Sequence, residues 1–366
     1  MPNESTPSTD KRLIELARSV YESLKSGEVP EIIMPSRNRD NIVLDPMYSV
    51  WRYGESRVTR SAKYVDGAEY ILKSLYMIEF ILEMIKGSKT STLREMYYIS
   101  EGWKNGKFGT QDESDIMAED LEVITSLMRE DFRLRPEENG ASVIGNLTIE
   151  EKNRKGEFKK INCKDDVGEG GYNIPYNVDQ EKLKIDSSDA DFVLAIETGG
   201  MFDRLVENGF DERFRSILVH LKGQPARSTR RLLKRLNEEQ HLPVYVFTDG
   251  DPWSFRIFAS VAYGAIKTAH ISQHLAVPTA QFIGITASDI MNYDLPTDVL
   301  TDKDQQALQA ELKDPRFMND FWKSEIEAML KMNKKAEQQA LAKYGLDFVT
   351  DKYLPDKLTG TADPGD

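Results

Sequence analysis

The sequence predicts an α+β protein of several domains. Its 366 residues are enough for two or three domains. The N-terminal third shows mainly helical periodicity, whereas strand and helix patterns alternate in the C-terminal half, which indicates a mostly parallel sheet with helices on both faces. We predict four segments. They are an N-terminal extension (1–64), a helical domain (65–150), a linker or surface excursion (151–185), and an α/β domain with a C-terminal helical layer (186–366).

The composition is typical of a protein from a reducing cytoplasm. The single cysteine, Cys163, excludes an intrachain disulfide, and with only four histidines it cannot complete a Cys/His zinc site. No apolar run approaches the roughly 18 residues of a membrane span, and the N-terminus carries no apolar signal segment. The net charge of −13 disfavours nucleic-acid binding by the whole surface but is compatible with a local basic groove.

An amphipathic helix is predicted over residues 11–26, and a polar, turn-rich segment follows over residues 30–63. The apolar stripe of this helix consists of Leu13, Ile14, Ala17, Val20 and Leu24. Because the extension has no domain of its own for this stripe to join, we expect the helix to pack on a partner protein.

The next segment predicts three helices followed by a hairpin. A strongly apolar helix covers residues 65–86, Thr92 and Glu95 form a capping box that starts a second helix, and a third helix begins after Ser114. Residues 132–134 and 142–149 read as a hairpin with its turn at residues 138–140. This order is that of a winged-helix (catabolite-activator-like) DNA-binding domain, although many small α+β modules share it.

Residues 151–176 are charged and rich in glycine, which is typical of a linker. Beyond them strands and helices alternate, and residues 303–347 read as a charged, largely helical outer layer. The predicted strands are 192–196, 217–221, 244–247 and 282–285, and the predicted helices are 199–205, 228–239 and 253–266.

Three acidic residues follow strands of this α/β segment. Glu197 ends one strand, and Asp249 and Asp251 follow another. Ligands of open α/β sheets bind beyond the carboxyl ends of strands, and residues two apart in an extended segment point to the same side. Oxygen ligands without His or Cys suit Mg²⁺. The acids are therefore candidate magnesium ligands, or else they cap helices and line turns.

A second candidate constellation lies in the second helix of the helical domain. Arg94 and Tyr98 are four residues apart, so they share a helical face. A phenol is a weak nucleophile near neutral pH, and a guanidinium favours the phenolate and can hold a phosphate oxygen. The pair could attack a phosphodiester, or the tyrosines Tyr97 and Tyr98 could be core packing.

Basic residues cluster on the helix predicted at residues 228–239. Arg227, Arg230, Arg231 and Lys234 would give a positive face suited to DNA phosphates. The alternative is a solvated face paired with acids elsewhere. By contrast, the helix from Asp115, which occupies the place of a recognition helix, is acidic, so the sequence does not indicate which elements hold a duplex.

Four segments together resemble one enzyme family. TLREMYYIS (residues 92–100) resembles the tyrosine motif shared by the A subunits of type IIB DNA topoisomerase VI and the meiotic double-strand-break transesterases. FVLAIETGGMFDRL (192–205) and VYVFTDGDPWSFRIF (244–258) resemble the acidic motifs of the Toprim fold, and KGQPARSTRRLLKRL (222–236) is similar to a further family segment. The resemblance runs from about residue 41 to 358, and the tail resembles the archaeal A subunits.

The resemblance implies a winged-helix domain that carries Tyr98 as nucleophile, and a Toprim domain in which Glu197, Asp249 and Asp251 bind Mg²⁺. It implies double-stranded DNA as substrate and a homodimer of A subunits that joins an ATPase B subunit in an A2B2 heterotetramer. This chain has no G-x-x-x-x-G-K-[ST] loop, so ATP is expected on the partner protein. We expect no membrane association.

The expected reaction is reversible DNA cleavage through a 5′-phosphotyrosyl link, with Arg94 stabilising the phosphate, followed by passage of a second duplex. Three alternatives stay open at this point. They are a transesterase that breaks DNA without strand passage, a Toprim nuclease or primase, and a catalytically silent DNA-binding scaffold.

Overall fold

The computed structural model describes residues 8–136 and 141–360. The hairpin turn expected at residues 138–140 lies outside the described residues. The chain forms two compact units. Unit 1 comprises Met1–Val43, Arg52–Glu138 and Ile266–Ile271, and unit 2 comprises Leu44–Trp51, Asn139–Ala265 and Ser272–Asp366.

Unit 1 contains the helices α1 (Thr9–Lys25), α2 (Val65–Lys86), α3 (Leu93–Ser100) and α4 (Gln111–Thr125). The predicted capping box is present, because the Thr92 hydroxyl accepts from the Glu95 amide at 3.0 Å and the Glu95 carboxylate accepts from the Thr92 amide at 2.7 Å. α4 begins four residues earlier than expected, after the Thr110 cap. The helices bury a core that includes Met77, Ile81, Met96 and Leu121.

Among the described residues, six short strands are associated with unit 1, and four of them lie in the segment 30–63 that was expected to be polar and turn-rich. The strands are β1 (Glu31–Pro35), β2 (Ile42–Leu44), β3 (Trp51–Tyr53), β4 (Arg57–Ser61), β5 (Ser91–Thr92) and β6 (Leu134–Arg135). The boundary between the two units falls within β2 and within β3. β1 pairs antiparallel with β4, and β5 pairs parallel with β6. Alternating burial along β1 explains the pairing, since Ile32 and Met34 point into the unit.

The N-terminal helix α1 is part of unit 1, which corrects the expectation that it has no domain to join. Leu13 and Val20 are buried with the side chains of α2. Ile14, Tyr21 and Leu24 of the same helix are exposed. The helix therefore buries part of its apolar stripe in its own unit and still exposes other apolar side chains to solvent.

Unit 2 contains a six-stranded sheet in the order β10-β7-β13-β12-β14-β15. Its strands, together with those of the smaller sheets, are β7 (Ser142–Gly145), β8 (Leu147–Lys152), β9 (Phe158–Asn162), β10 (Tyr172–Asn173), β11 (Leu183–Ser188), β12 (Phe192–Ile196), β13 (Ser216–His220), β14 (Val244–Phe247), β15 (Gln281–Gly284), β16 (Asp298–Val299) and β17 (Lys334–Lys335). β12 runs parallel to β13 and β14, and β14 runs parallel to β15. The predicted mostly parallel sheet is thus confirmed.

Helices alternate with these strands as expected. They are α5 (Gly199–Glu207), α6 (Phe210–Arg213), α7 (Arg227–Glu239), α8 (Pro252–Tyr263), α9 (Ser272–Leu275), α10 (Ala287–Asn292), α11 (Asp302–Glu311), α12 (Asp320–Met332) and α13 (Leu354–Gly360). None of the helices in the described ranges is long and apolar enough to cross a membrane.

The hairpin predicted from residues 132–134 and 142–149 is wrong. β6 belongs to unit 1 and pairs with β5, whereas β7 pairs antiparallel with β13 and with β10 in the large sheet of unit 2. The physical reason is burial, because Val143 and Ile144 face opposite sides of the sheet and both are buried. A strand buried on both faces needs neighbours within a sheet rather than a solvent-facing wing.

The segment expected to be a linker, residues 151–185, contains β-structure instead. β11, β8 and β9 form an antiparallel three-stranded sheet in that order. Ile149 and Leu183 are buried beneath it, while Glu150 and Lys184 lie on its other face. The charged outer face and the glycines concealed this alternation in the sequence.

Candidate active site

The three acidic residues lie at one edge of the large sheet. Glu197 directly follows β12, and Asp249 and Asp251 follow β14. The two strands are parallel neighbours, with Ile196 opposite Phe247. Their carboxyl ends therefore meet at the same edge, which is where open α/β sheets bind ligands.

Hydrogen bonds fix these carboxylates. The Asp249 amide donates to the Glu197 carboxylate at 3.0 Å, and the Glu197 amide donates to the Phe247 carbonyl at 3.1 Å. The Asp251 carboxylate accepts from the Ser254 amide at 2.8 Å and so caps α8. The helix-capping alternative thus applies to Asp251 through one of its two oxygens.

The loop between the two aspartates is held by close backbone contact. Gly250 pairs with Ala336, with an N–O distance of 2.8 Å from the Gly250 amide to the Ala336 carbonyl. A Cβ at position 250 would lie 3.0 Å from the Ile285 side chain and 3.3 Å from the Ala336 carbonyl oxygen. Glycine therefore allows the loop to pack tightly behind the acids.

The electrostatics of this edge favour a cation. Burial, together with the nearby charges of Glu197 and Asp251, raises the pKa of Asp249 to about 7. Burial also raises the pKa of Glu197, and the charge of Asp251 adds to the effect. Oxygen donors alone fit Mg²⁺, which usually keeps several waters. In the described part of the chain, no set of three or more His, Cys, Asp or Glu groups forms a compact metal cluster.

Gln338 belongs to this edge, although the sequence did not indicate it. Its amide N–H donates to the Asp249 carboxylate at 2.8 Å, and its side-chain nitrogen donates to the Phe247 carbonyl at 3.1 Å. The Thr198 hydroxyl donates to the Gln338 side-chain oxygen at 2.9 Å. Gln338 is fully buried, so it ties both acid-bearing strand ends to the C-terminal segment. A polar residue three positions before the buried Leu341 was the available signal.

The candidate nucleophile lies in unit 1 on α3. Tyr98 is 60% exposed, whereas Tyr97 is half-buried and packs against the core of the unit. The two rings lie 5.5 Å apart. Arg94, one turn before Tyr98, is also exposed. The core-packing alternative therefore describes Tyr97, and the exposed helical face carries Arg94 and Tyr98.

The basic helix α7 does not present the positive face that its sequence suggested. Arg230 is only 6% exposed, and Arg227, Arg231 and Lys234 are half-buried. Arg231 donates to the His274 carbonyl at 3.1 Å, and Lys234 donates to the Ala276 carbonyl at 3.0 Å. Much of this charge is thus used in contacts within unit 2, in line with the alternative of a helix paired with neighbouring groups.

Part of the acidity of α4 is also internal. Glu119, Asp120 and Glu122 are all buried. The guanidinium of Arg37 bonds to both Glu119 and Asp120, at 2.7 Å for Asp120. Lys267 lies 3.6 Å from Glu119. The acidic sequence of this helix therefore describes its outer surface only in part, at the exposed Asp112 and the partly exposed Glu113 and Asp115.

An α/β unit with three carboxylates at the ends of adjacent parallel strands defines a Toprim-type protein. Three family models match the chain in turn. They describe "Type IIB DNA topoisomerase" over residues 69–134, "All-beta domain in DNA topoisomerase VI alpha subunit" over 137–189, and the Toprim domain of topoisomerase 6 A subunits and Spo11 over 192–358. The second covers the three-stranded sheet.

Curated relatives named as A subunits of "Type 2 DNA topoisomerase 6" are similar over nearly the whole chain. The protein from Archaeoglobus fulgidus is 58% identical over 349 residues, which cover 95% of this chain and 96% of the relative. The protein from Haloarcula marismortui is 54% identical over 361 residues, 97% of both chains. The protein from Methanosarcina mazei is 54% identical over 349 residues, 95% of this chain and 94% of the relative.

The chain therefore belongs to the family of type 2 DNA topoisomerase 6 A subunits. Members of this family are DNA-cleaving subunits of type IIB topoisomerases, which are isomerases. The expected family and enzyme class are confirmed.

Proposed function

We propose that this chain makes transient double-strand breaks in DNA with Tyr98 as nucleophile. The observation that carries the assignment is the contrast between the exposed Tyr98 and the packed Tyr97 on the same capped helix. Arg94 shares the exposed face and is proposed to hold a non-bridging phosphate oxygen. A surface tyrosine beside a guanidinium is accessible to a duplex without rearrangement of the core.

The reaction is a transesterification that conserves bonds. The Tyr98 oxygen forms a bond to the scissile phosphorus, and the bond from phosphorus to the 3′ oxygen breaks. The phenol proton leaves, and the departing 3′ oxygen gains a proton to become a hydroxyl. The product is a 5′-phosphotyrosyl link, which the same 3′ hydroxyl attacks when the strand is rejoined.

Glu197, Asp249 and Asp251 are the residues proposed to hold Mg²⁺, because they follow neighbouring parallel strands at one sheet edge and offer half-buried carboxylate oxygens. When bound, Mg²⁺ offsets charge on the reacting phosphate. The hydrogen bonds around the acids keep this arrangement fixed before substrate arrives, which is what electrostatic stabilisation requires.

We propose that residues 65–135, the part of the expected segment 65–150 that lies in unit 1, act as a winged-helix (catabolite-activator-like) domain. Support comes from the order helix, strand, two helices and strand, given by α2, β5, α3, α4 and β6. The proposed domain limits are otherwise those of the expected segments, with residues 151–185 assigned to a β-sheet region. We keep the proposal that α7 contacts DNA through Arg227, Arg230, Arg231 and Lys234. The burial of these residues adds no support to it.

We further propose that two copies of the chain form an A2B2 heterotetramer with two copies of an ATPase B subunit, and that this assembly works on chromosomal DNA in the cytoplasm. The exposed apolar side chains Ile14, Tyr21 and Leu24 of α1 are the proposed contact for the B subunit. ATP is assigned to the partner, because this sequence has no phosphate-binding loop of the G-x-x-x-x-G-K-[ST] type.

Relaxation of supercoiled plasmid tests the proposed function. The chain is assayed with and without a candidate B subunit, ATP and Mg²⁺, and protein–DNA adducts are trapped with denaturant. Relaxation that requires all components, together with an adduct, is the expected result. Adducts without relaxation in the complete mixture would instead identify a break-forming transesterase, and cleavage without any adduct would identify a nuclease.

A further inference from the structure

The hairpin formed by β8 and β9 ends in a hydrogen-bonded turn at residues 153–156. The Asn153 amide donates to the Glu157 carbonyl at 2.8 Å, and the Asn153 side-chain oxygen accepts from the Lys155 and Glu157 amides at 2.9 and 3.0 Å. Gly156 has a positive φ of 89°, which glycine adopts without strain. These hydrogen bonds therefore fix the backbone from which the neighbouring side chains extend.

This hairpin is locally basic on an acidic protein. Residues 150–160 include five Lys or Arg and three Glu, while the whole chain carries a net charge of −13. Lys152, Arg154 and Lys155 are exposed at the end of the hairpin, and in the described structure none of the three forms an ion pair. Lys160 and Lys184, further along the sheet, are paired with Glu150.

The aromatic ring of Phe158 lies on the same face of this sheet, and although this residue is 37% exposed, a lysine lies over the ring. The Lys184 ammonium lies 3.9 Å from the centroid of the Phe158 ring, and that of Lys152 lies 5.9 Å from it. Because single-stranded nucleic acids are bound by stacking bases on free aromatic faces, a ring already covered by lysine is poorly suited to that mode. The exposed cations suit phosphates instead.

We propose that Lys152, Arg154 and Lys155 at the end of this hairpin contact the phosphates of duplex DNA, at a surface separate from the sheet edge that carries the three acids. This proposal rests on the proposed function, because it takes duplex DNA as the substrate. The hairpin contacts carry no sequence information, since they reach the backbone alone. They add to the hold on the duplex and increase the salt dependence of binding.

Neutralisation of the hairpin end tests this proposal on the full chain. The variant Lys152→Gln/Arg154→Gln/Lys155→Gln is compared with Lys303→Gln/Lys313→Gln/Lys323→Gln, which removes three exposed lysines of the same unit that form no ion pair in its described part. Duplex binding is measured over a series of KCl concentrations. Each lost phosphate contact lowers the slope of log K against log salt concentration by about 0.9.

The hairpin variant is expected to lower this slope by about 2 to 3, and the control variant is expected to leave it unchanged. A variant that keeps the charges, Lys152→Arg/Arg154→Lys/Lys155→Arg, should restore the slope. An unchanged slope in the neutral variant would overturn the proposal, as would an equal fall in the control or a loss confined to single-stranded DNA.

The tyrosine chemistry is measured separately, as adduct formation on a short duplex with the B subunit, ATP and Mg²⁺ present, at saturating protein and low salt. There the hairpin variant should form adducts as the unaltered chain does. If the unaltered chain forms no adduct while the slope still falls, the proposed cleavage function fails and the hairpin contact stands. If adducts form and the slope does not change, the hairpin contact fails alone.

Discussion

The exposed face of α3 and the acidic edge of the large sheet are built in opposite ways. Tyr98 stands on the surface of unit 1, with only the Tyr97 ring against it among the ring contacts of the described residues. The acids of unit 2 are half-buried and fixed by backbone amides. A nucleophile must reach its substrate, whereas groups that act through charge must be fixed beforehand. The two regions should therefore respond differently to substitution.

The largest effect is expected at Tyr98. Tyr98→Phe removes the attacking oxygen and keeps the ring, so DNA cleavage and covalent attachment should be lost completely. The melting temperature should stay within about 1 °C, because surface substitutions away from special contacts change stability by less than about 0.5 kcal/mol. Tyr97→Phe is the matched control and should retain cleavage. Attachment at an unreduced level in Tyr98→Phe would refute the assignment.

The acids should lose activity without losing the fold. Glu197→Gln and Asp249→Asn each remove one charge at nearly constant volume, and cleavage in Mg²⁺ should fall by about 100-fold or more, as for other electrostatic groups. Without metal the melting temperature should hold or rise, because a repulsive charge has been removed from a buried cluster. Calorimetry should show weakened Mg²⁺ binding. Mg²⁺ binding that is unaltered in both variants would exclude this site.

Gln338 should affect stability and metal binding together. Gln338→Leu leaves the Phe247 carbonyl and the Thr198 hydroxyl without their buried partner, at a cost of about 1 to 3 kcal/mol in the free energy of unfolding. The apparent Mg²⁺ affinity should fall several-fold, because both acid-bearing strand ends lose a common support. Gln339→Leu, at the exposed neighbouring position, is the control. Equal effects of the two substitutions would remove Gln338 from the site.

The smallest effect on the isolated chain is expected at the exposed apolar side chains of α1. Tyr21→Ser/Leu24→Ser should leave the unfolding free energy nearly unchanged and weaken association with the B subunit in sedimentation. Leu13→Ala, on the buried side, should instead destabilise unit 1 by about 3 kcal/mol. Unweakened association of the Tyr21→Ser/Leu24→Ser variant would place the B-subunit contact elsewhere.

Local rules explain which parts of the fold were predictable. The helix at residues 65–86 and the capped helix α3 follow from apolar periodicity and from Thr92 and Glu95, which act within a few residues of each other. The strands β12 and β14 follow from short apolar runs that end in acids. The edge at which Glu197 and Asp249 meet could be inferred because neighbouring parallel strands end on the same side.

The errors arose where distant parts of the chain decide the structure. The sequence around β7 is compatible with a wing, and only its pairing with β13, more than 70 residues away, reveals a sheet strand. The acidic residues of α4 look solvent-exposed in the sequence. Only the ion pair between Arg37 and Glu119 shows that part of this charge is buried. Gln338 lies about 90 residues from Asp249, and its spacing from the buried Leu341 indicates burial but not the contact with Asp249.

The direct test of the account is chemical identification of the covalent link. Adducts formed by the unaltered chain with its B subunit, Mg²⁺ and duplex DNA are trapped and digested with protease and nuclease, and the peptide that carries a nucleotide is sequenced by mass spectrometry. The account predicts the peptide that contains residues 92–100, with the nucleotide joined to Tyr98 through its 5′ phosphate. A nucleotide on any other residue, or one joined through a 3′ phosphate, would contradict it.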